Sequence, residues 1–297
     1  MVRIGHFPNV THAHGLAAHA LSRAGKGWLE ERFGPGAKVE WYTYNAGPGA
    51  MEAMLASTLD LAYVGPSPAL NAHARSGGAE VRVLAGATRG GAALVVPADG
   101  RIAKPEDLRG KRIATPQLGN TQDVACRAWL GDRGIRVTQT GGDALVLPTQ
   151  NPDQLALFRR GGLDAVWTVE PWVSRLETEA GGKVFLEEKD ALTTILVARA
   201  GFLRERPDLA ARALAAHGEM TAWLGAHGEE AKGLVRSELL AETTREMKAD
   251  LLDRCWARMR FDDAVARSDF DAFVAAAVRT GLMKEPPDLS RLLEAPR

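Results

Sequence analysis

Short apolar runs alternate with stretches of helical spacing over residues 1–200. Residues 2–7 read as a strand, and residues 15–32 carry Leu16, Leu21, Trp28 and Leu29 at helical spacing. Strands follow at 39–44, 59–64 and 81–87, separated by helices at 49–57 and 68–76. The pattern restarts after Gly90-Gly91. Strands are expected at 92–96, 111–114, 145–147, 165–168, 183–186 and 194–198. Helices fall at 104–108, from Thr121 to about Leu130, at 152–160 and at 170–180, with Pro171 suited to the first turn of the last. Over residues 1–90, strands that alternate with helices in this way predict a largely parallel sheet joined by crossovers. From Pro207 onward the spacing is helical almost throughout, as in Leu209, Ala213, Leu214, Ala216, Met220, Trp223 and Leu224. That tail suits the covering of a sheet and adds no chemistry of its own.

The restart after Gly91 divides the chain into two α/β units. Residues 1–90 with 195–297 are expected to form one lobe and residues 91–194 the other, as a bilobal clamshell. Ligands of such sheets sit at the carboxyl ends of strands, in the crevice. Four polar turns fall at those positions: Asn9-Val10-Thr11-His12, Gly65-Pro66-Ser67-Pro68, Gly119-Asn120-Thr121-Gln122 and Glu170-Pro171-Trp172. Each ends an apolar run and opens a helical stretch. A helix N-terminus presents unpaired N–H groups and a partial positive charge, so it seats an anion.

Charge narrows the partners. Lys+Arg and Asp+Glu both number 37, so a net charge of zero gives no reason to expect nucleic acid or a membrane surface. No apolar run is long enough to span a bilayer. Residues 1–5 already read as a strand with no signal-peptide h-region before them, so the compartment is either cytoplasmic or set by an export signal that has been removed. Cys126 and Cys255 lie on helical stretches and read as small buried apolar side chains rather than a disulfide.

Each motif has a ligand reading and a structural one. Ser67 either caps its helix or donates its hydroxyl to a ligand. Gly119-Asn120-Thr121-Gln122 lacks the Gly-Lys-Ser/Thr of a phosphate-cradling loop and suits a smaller anion. Trp172 offers an apolar or cation–π wall or packs in the core; Glu170 repels a bare anion unless it orients a donor or meets an ammonium group. Arg89, at the crossover with Gly90, offers a bidentate contact to an oxyanion or is a solvated hinge residue. His6, His12, His14 and His19 invite a metal reading, but no Cys or carboxylate set follows at ligand spacing, so no metal site is expected and His12 is read as a cleft donor.

The chain resembles the periplasmic solute-binding proteins of ABC importers, in the aliphatic sulfonate, taurine and nitrate group. The resemblance rests on Gly5-His6-Phe7-Pro8-Asn9, Asn45-Ala46-Gly47-Pro48 with Glu52-Ala53-Met54, and the run Leu59-Asp60-Leu61-Ala62-Tyr63-Val64-Gly65-Pro66-Ser67-Pro68. It continues through Leu108-Arg109-Gly110-Lys111-Arg112-Ile113-Ala114, Gly119-Asn120-Thr121, and Asp164-Ala165-Val166-Trp167 with Glu170-Pro171-Trp172. It covers most of residues 1–200. It implies the type II periplasmic-binding-protein fold, two mixed sheets flanked by helices, with a cleft between the lobes that closes by hinge motion around a small organic anion such as an alkanesulfonate or taurine. It implies permease and ATPase partners, a monomer, no cofactor, and an extracytoplasmic site of action, periplasmic or membrane-anchored. Ser67, Asn120 and Thr121 match the family's binding turns. The expected ligand-binding set is Asn9, Thr11, His12, Gly47, Ser67, Arg89, Gly90, Asn120, Thr121, Gln122, Glu170 and Trp172.

No nucleophile elbow, Ser/His/Asp order or paired-carboxylate set stands out, so no catalytic residue is expected. The alternatives are a binding protein for nitrate, bicarbonate or a vitamin precursor, and an enzyme of thiamin or menaquinone biosynthesis on the same fold. A ligand-sensing regulator would bring a DNA-binding or signalling module, and none is visible.

Overall fold

The computed structural model describes residues 1–138 and 141–293. Its first sheet begins with β1 (Val2–His6), β2 (Val39–Thr43), β3 (Leu61–Val64) and β4 (Val81–Gly90). The chain then builds a second sheet from β5 (Ala92–Pro97), β6 (Arg112–Thr115), β7 (Leu145–Pro148), β8 (Ala165–Val169) and β9 (Gly182–Glu187). It returns to the first sheet with β10 (Leu192–Arg199) and, late in the tail, β11 (Met259–Phe261). The strand orders are β11-β4-β10-β3-β1-β2 and β7-β6-β8-β5-β9. Both sheets are mixed. β1 lies parallel to β2 and β3, whereas β10 runs antiparallel to β3 and β4. In the second sheet β6 lies parallel to β7 and β8, and β5 runs antiparallel to β8 and β9.

Helices cover both faces, which is why β3 and β8 are buried along their whole length. On the first sheet these are α1 (Ala13–Arg23), α2 (Trp28–Phe33), α3 (Gly47–Leu55) and α4 (Pro66–Arg75). On the second they are α5 (Thr121–Gly131), α6 (Asn151–Arg159) and α7 (Trp172–Ala180). The tail supplies α8 (Ala200–Glu205), α9 (Pro207–Ala226), α10 (Gly228–Thr243), α11 (Ala249–Ala257) and α12 (Arg267–Arg279). One face of the first sheet packs Met54, Leu59 and Phe270; the other packs Leu196, Phe202 and Ala213. A separate apolar cluster of Leu16, Met220, Leu224, Val235 and Cys255 seats the tail on α1. Trp167 centres the second sheet's core and donates its Nε1–H to Glu188 Oε2 at 2.9 Å.

Three expectations change. The helix expected over 15–32 is two helices, because Gly25 takes a left-handed φ of 72° between α1 and α2. The tail is not all helix: β11 pairs with the end of β4, Met259 opposite Gly90. Pro171 caps α7 rather than opening it, and its bond to Glu170 is cis. Cys126 and Cys255 are buried and free, as read from their setting. Among the described residues no helix is long and apolar enough to cross a membrane.

The passage between sheets is tightly built. Gly90 and Gly91 have φ of 76° and 71°. A Cβ on Gly90 would lie 2.4 Å from Arg258 O and 2.9 Å from Lys189 O, so only glycine fits. Thr193 Oγ1 donates to Thr88 O at 3.0 Å and to Gly90 O at 2.9 Å, which ties the outgoing strand to the returning one.

Candidate functional site

The carboxyl ends of β1, β3, β6 and β8 face one another across the groove between the sheets. After β6 the chain turns through Gly119, whose φ of 74° is open to glycine, and enters α5 at Asn120. Asn120 Oδ1 accepts the Asp123 N–H at 2.8 Å, the ordinary N-cap contact. Asp123 then fixes the turn. It accepts the Thr115 hydroxyl at 2.8 Å, the Gly119 N–H at 3.0 Å and the Arg127 Nε–H at 3.0 Å. Asp123 and Arg127 are both buried, so this charge pair is a scaffold that holds the N-terminus of α5 toward the groove.

Six of the expected residues line one inner chamber of about 30 Å³: Asn9, Thr11, His12, Asn120, Thr121 and Gln122. Asn45, Ala46, Pro116, Asn151, Val169 and Thr193 complete much of its wall. None of the lining residues carries a formal charge at neutral pH. His12 is included in that statement, because burial in an apolar setting pushes its imidazole pKa down to about 3. The chamber therefore offers amide, hydroxyl and imidazole dipoles and the first-turn N–H groups of α5.

The chamber meets a larger cleft of about 1150 Å³; Asn9, Asn45, Ala46, Pro116 and Asn151 line both. The outer cleft is charged and balanced: Arg175, Arg245, Lys248 and Arg254 stand with Glu179, Glu242, Glu246 and Asp250. Trp172 forms part of its wall, with the Arg175 guanidinium 4.9 Å from the ring centroid.

The two sheets touch across the groove. Trp172 Nε1 donates to Asn9 Oδ1 at 3.1 Å, and the Ser67 N–H donates to Thr121 Oγ1 at 3.3 Å. The Val10 N–H donates to Glu170 O at 3.1 Å. These contacts describe a closed arrangement.

The remaining expected residues stand elsewhere. Arg89 does not face the groove. Its Nε donates to Asp262 at 3.2 Å and its Nη2 to Asp269 at 3.0 Å, so its charge is committed to the tail. Glu170 is fully buried and accepts from Ser174 N, Ser174 Oγ and Arg258 Nη1, so its carboxylate is committed to α7 and the tail. Gly47 is a packing residue: a Cβ there would lie 2.4 Å from Pro68 Cγ, so its bareness lets α3 approach α4. Gly90 serves the crossover. Ser67 reaches the site only through its backbone; its Oγ is buried without a partner, and the residue lines a separate cavity of about 260 Å³ with Asn71, Phe273 and Met283.

Asn151 and Thr193 escaped sequence reasoning. Asn151 opens α6 just beyond the end of β7, so the logic that flagged Asn120 also applied to it. Its Oδ1 accepts the Thr168 hydroxyl at 3.1 Å. Among the described residues, one group has metal-ligand spacing: His6, His19 and Glu242. Two of the four N-terminal histidines belong to it, and its carboxylate comes from the tail.

The model of the NMT1-like family matches residues 1–236. Among curated proteins the chain is 29% identical to the taurine-binding periplasmic protein of Escherichia coli over 59% of this chain and 53% of that one. It is 28% identical to a putative aliphatic sulfonates-binding protein of Bacillus subtilis over 70% of this chain and 63% of that one. The aligned part thus spans between half and two thirds of these relatives' length. Among solved structures, the alkanesulfonate-binding protein SsuA of Xanthomonas axonopodis pv. citri superposes with a TM-score of 0.76 at 20% identity, over 98% of this chain and 95% of that one. The periplasmic nitrate-binding protein NrtA of Synechocystis superposes with a TM-score of 0.78 at 16% identity, over 97% and 83%. Two mixed sheets flanked by helices and facing each other across a groove are the architecture of these binding proteins, and the chain belongs to the NMT1-like family.

Proposed function

We propose that the chain is the solute-binding component of an ABC importer and takes a small organic anion, an alkanesulfonate or taurine-like solute, in the groove between its sheets. One observation carries the reading: a chamber formed by residues of both sheets, uncharged throughout, at the N-terminus of α5. A monoanion is held well by oriented N–H and O–H dipoles without a counter-ion, since a helix N-terminus carries about half a positive charge. Thr121 Oγ1 accepts from the Ser67 N–H and so keeps its own proton for a ligand oxygen.

At about 30 Å³ the chamber holds no more than about two waters as it stands, so a sulfonate head widens it. The rest of the solute then extends into the outer cleft, where acidic and basic side chains suit a zwitterion. Lobe movement about Gly90–Gly91 would admit it, and a permease with its ATPase would receive it. The names of the taurine- and sulfonate-binding relatives support this ligand class. The closed contacts and the buried, high-pKa thiols of Cys126 and Cys255 give no support to a nucleophilic enzyme. Calorimetry with taurine, alkanesulfonates, nitrate, bicarbonate and a neutral vitamin precursor tests the reading. Exclusive binding of the neutral solute would overturn it.

A further inference from the structure

We propose that His6, His19 and Glu242 form a binding site for a first-row transition cation of the Zn²⁺ class. The three residues come from β1, α1 and α10, and their donor atoms converge. His6 Nε2 lies 3.0 Å from His19 Nδ1 and 3.1 Å from Glu242 Oε1; His19 Nδ1 lies 3.3 Å from Glu242 Oε1. A cation bound at about 2.0–2.1 Å by nitrogen and oxygen donors holds them about 2.8–3.0 Å apart when octahedral and about 3.3–3.4 Å apart when tetrahedral. The triangle already falls in that range.

The surroundings fit a built site. Glu242 Oε2 is buried without a partner, so the carboxylate has an uncommitted oxygen. Glu242 Oε1 accepts the Thr43 hydroxyl at 2.7 Å, an outer contact of the kind that fixes a ligating carboxylate. The imidazoles are fixed by Trp41: His19 stacks on it at 5.0 Å, and His6 meets it edge-on at 5.6 Å. Glu238 Oε1 stands 2.8 Å from His19 Nδ1, held by Arg23, and is the nearest candidate for a fourth ligand. Without a cation, the cluster is held by a proton on each imidazole, His19 Nδ1–H donating to Glu238 Oε1 at 2.8 Å and His6 Nε2–H to Glu242 Oε1 at 3.1 Å. A bound cation would take the place of both protons and satisfy the close His6–His19 nitrogen pair as well. Glu242 also lines the outer cleft, which gives the ion a way in, and binding would clamp the helical tail onto the first sheet.

This inference is independent of the anion reading. The test is calorimetric titration of Zn²⁺ into the chelator-treated full chain, with Co²⁺ absorption as a report of geometry and with melting temperature as a second readout. The proposal expects one ion per chain, a visible Co²⁺ band of tetrahedral or five-coordinate character, and a melting temperature raised by Zn²⁺. Glu242→Gln and His19→Gln should each weaken binding by about tenfold or more and abolish the rise. His19 is partly exposed, so His19→Gln decides the matter if Glu242→Gln does not fold. No Zn²⁺ binding by the wild type, or binding unchanged in both variants, would overturn the site and leave the cluster as an ion-pair network.

Discussion

Trp172 Nε1 donates to Asn9 Oδ1 at 3.1 Å, and this bond joins the helix after β8 to the turn after β1. The two residues follow strands of different sheets, so the proposed lobe movement would break this contact, and the contact would favour the closed form. Loss of a neutral hydrogen bond costs about 0.5–1.5 kcal/mol. Trp172→Phe and Asn9→Ala should each lower the closed population and weaken anion affinity by up to roughly tenfold. The double variant should lose little more than either single one, as a double-mutant cycle would read. Independent, additive losses would mean that the two residues do not act through each other.

Ser67 and Thr121 should behave differently, although both were expected to contact ligand. Ser67 contributes its backbone N–H, which Ser67→Ala keeps, and its unpartnered Oγ is no loss. Thr121→Val removes both the acceptor for that N–H and the donor toward the chamber. Bonds to charged partners are worth about 1.5–3 kcal/mol. Thr121→Val should weaken anion binding by roughly tenfold to a hundredfold, and Ser67→Ala by less than about threefold. Equal losses in titration calorimetry would contradict the assignment.

His217 predicts a dependence on pH. Its Nε2 lies 2.7 Å from Gly86 O and its Nδ1 3.2 Å from the Tyr63 hydroxyl, all buried. Burial pushes its pKa from 6.5 down to about 4, against the pull of the Gly86 carbonyl. The unfolded chain takes up a proton near pH 6.5 that the native state refuses until about pH 4. Stability from this group is complete above pH 6.5 and is lost as pH falls toward 4. From pH 7 to pH 5 the loss is roughly 2 kcal/mol. His14, stacked on His217 at 4.8 Å and also pushed down by burial, adds to it with the same sign. Urea midpoints should fall between pH 7 and 5, and the fall should shrink in His217→Gln. A flat profile in the wild type would show that these imidazoles titrate normally.

Gly90→Ala should cost more than about 2 kcal/mol, because a positive φ and a clash with two backbone carbonyls coincide there. Thermal unfolding checks this. Gly100→Ala is the control, with a φ of 83° and open space around it, and it should cost only the conformational part.

Much of this was legible in the sequence because it is local. Strand-to-helix alternation gave both sheets, and the polar turns at strand ends gave Asn9, Thr11, His12, Asn120, Thr121 and Gln122, which share one chamber. What the local pattern does not carry depends on partners far away along the chain. Arg89 looked free at a crossover, but the tail brings Asp262 and Asp269 to it. Glu170 looked like a cleft residue until Arg258 is placed beside it. The N-terminal histidines lacked a carboxylate within any motif spacing, and Glu242 supplies one from α10. β11 is too short to show a period, and only its pairing with β4 makes it a strand.

Titration calorimetry of the full chain with taurine and short alkanesulfonates at pH 7, alongside Thr121→Val, decides whether the uncharged chamber between the two sheets holds a sulfonate group. One solute molecule should bind per chain, and binding should be weaker by roughly tenfold or more in the variant. No heat with any sulfonate at millimolar concentration, with tight binding of a neutral solute instead, would contradict the anion reading.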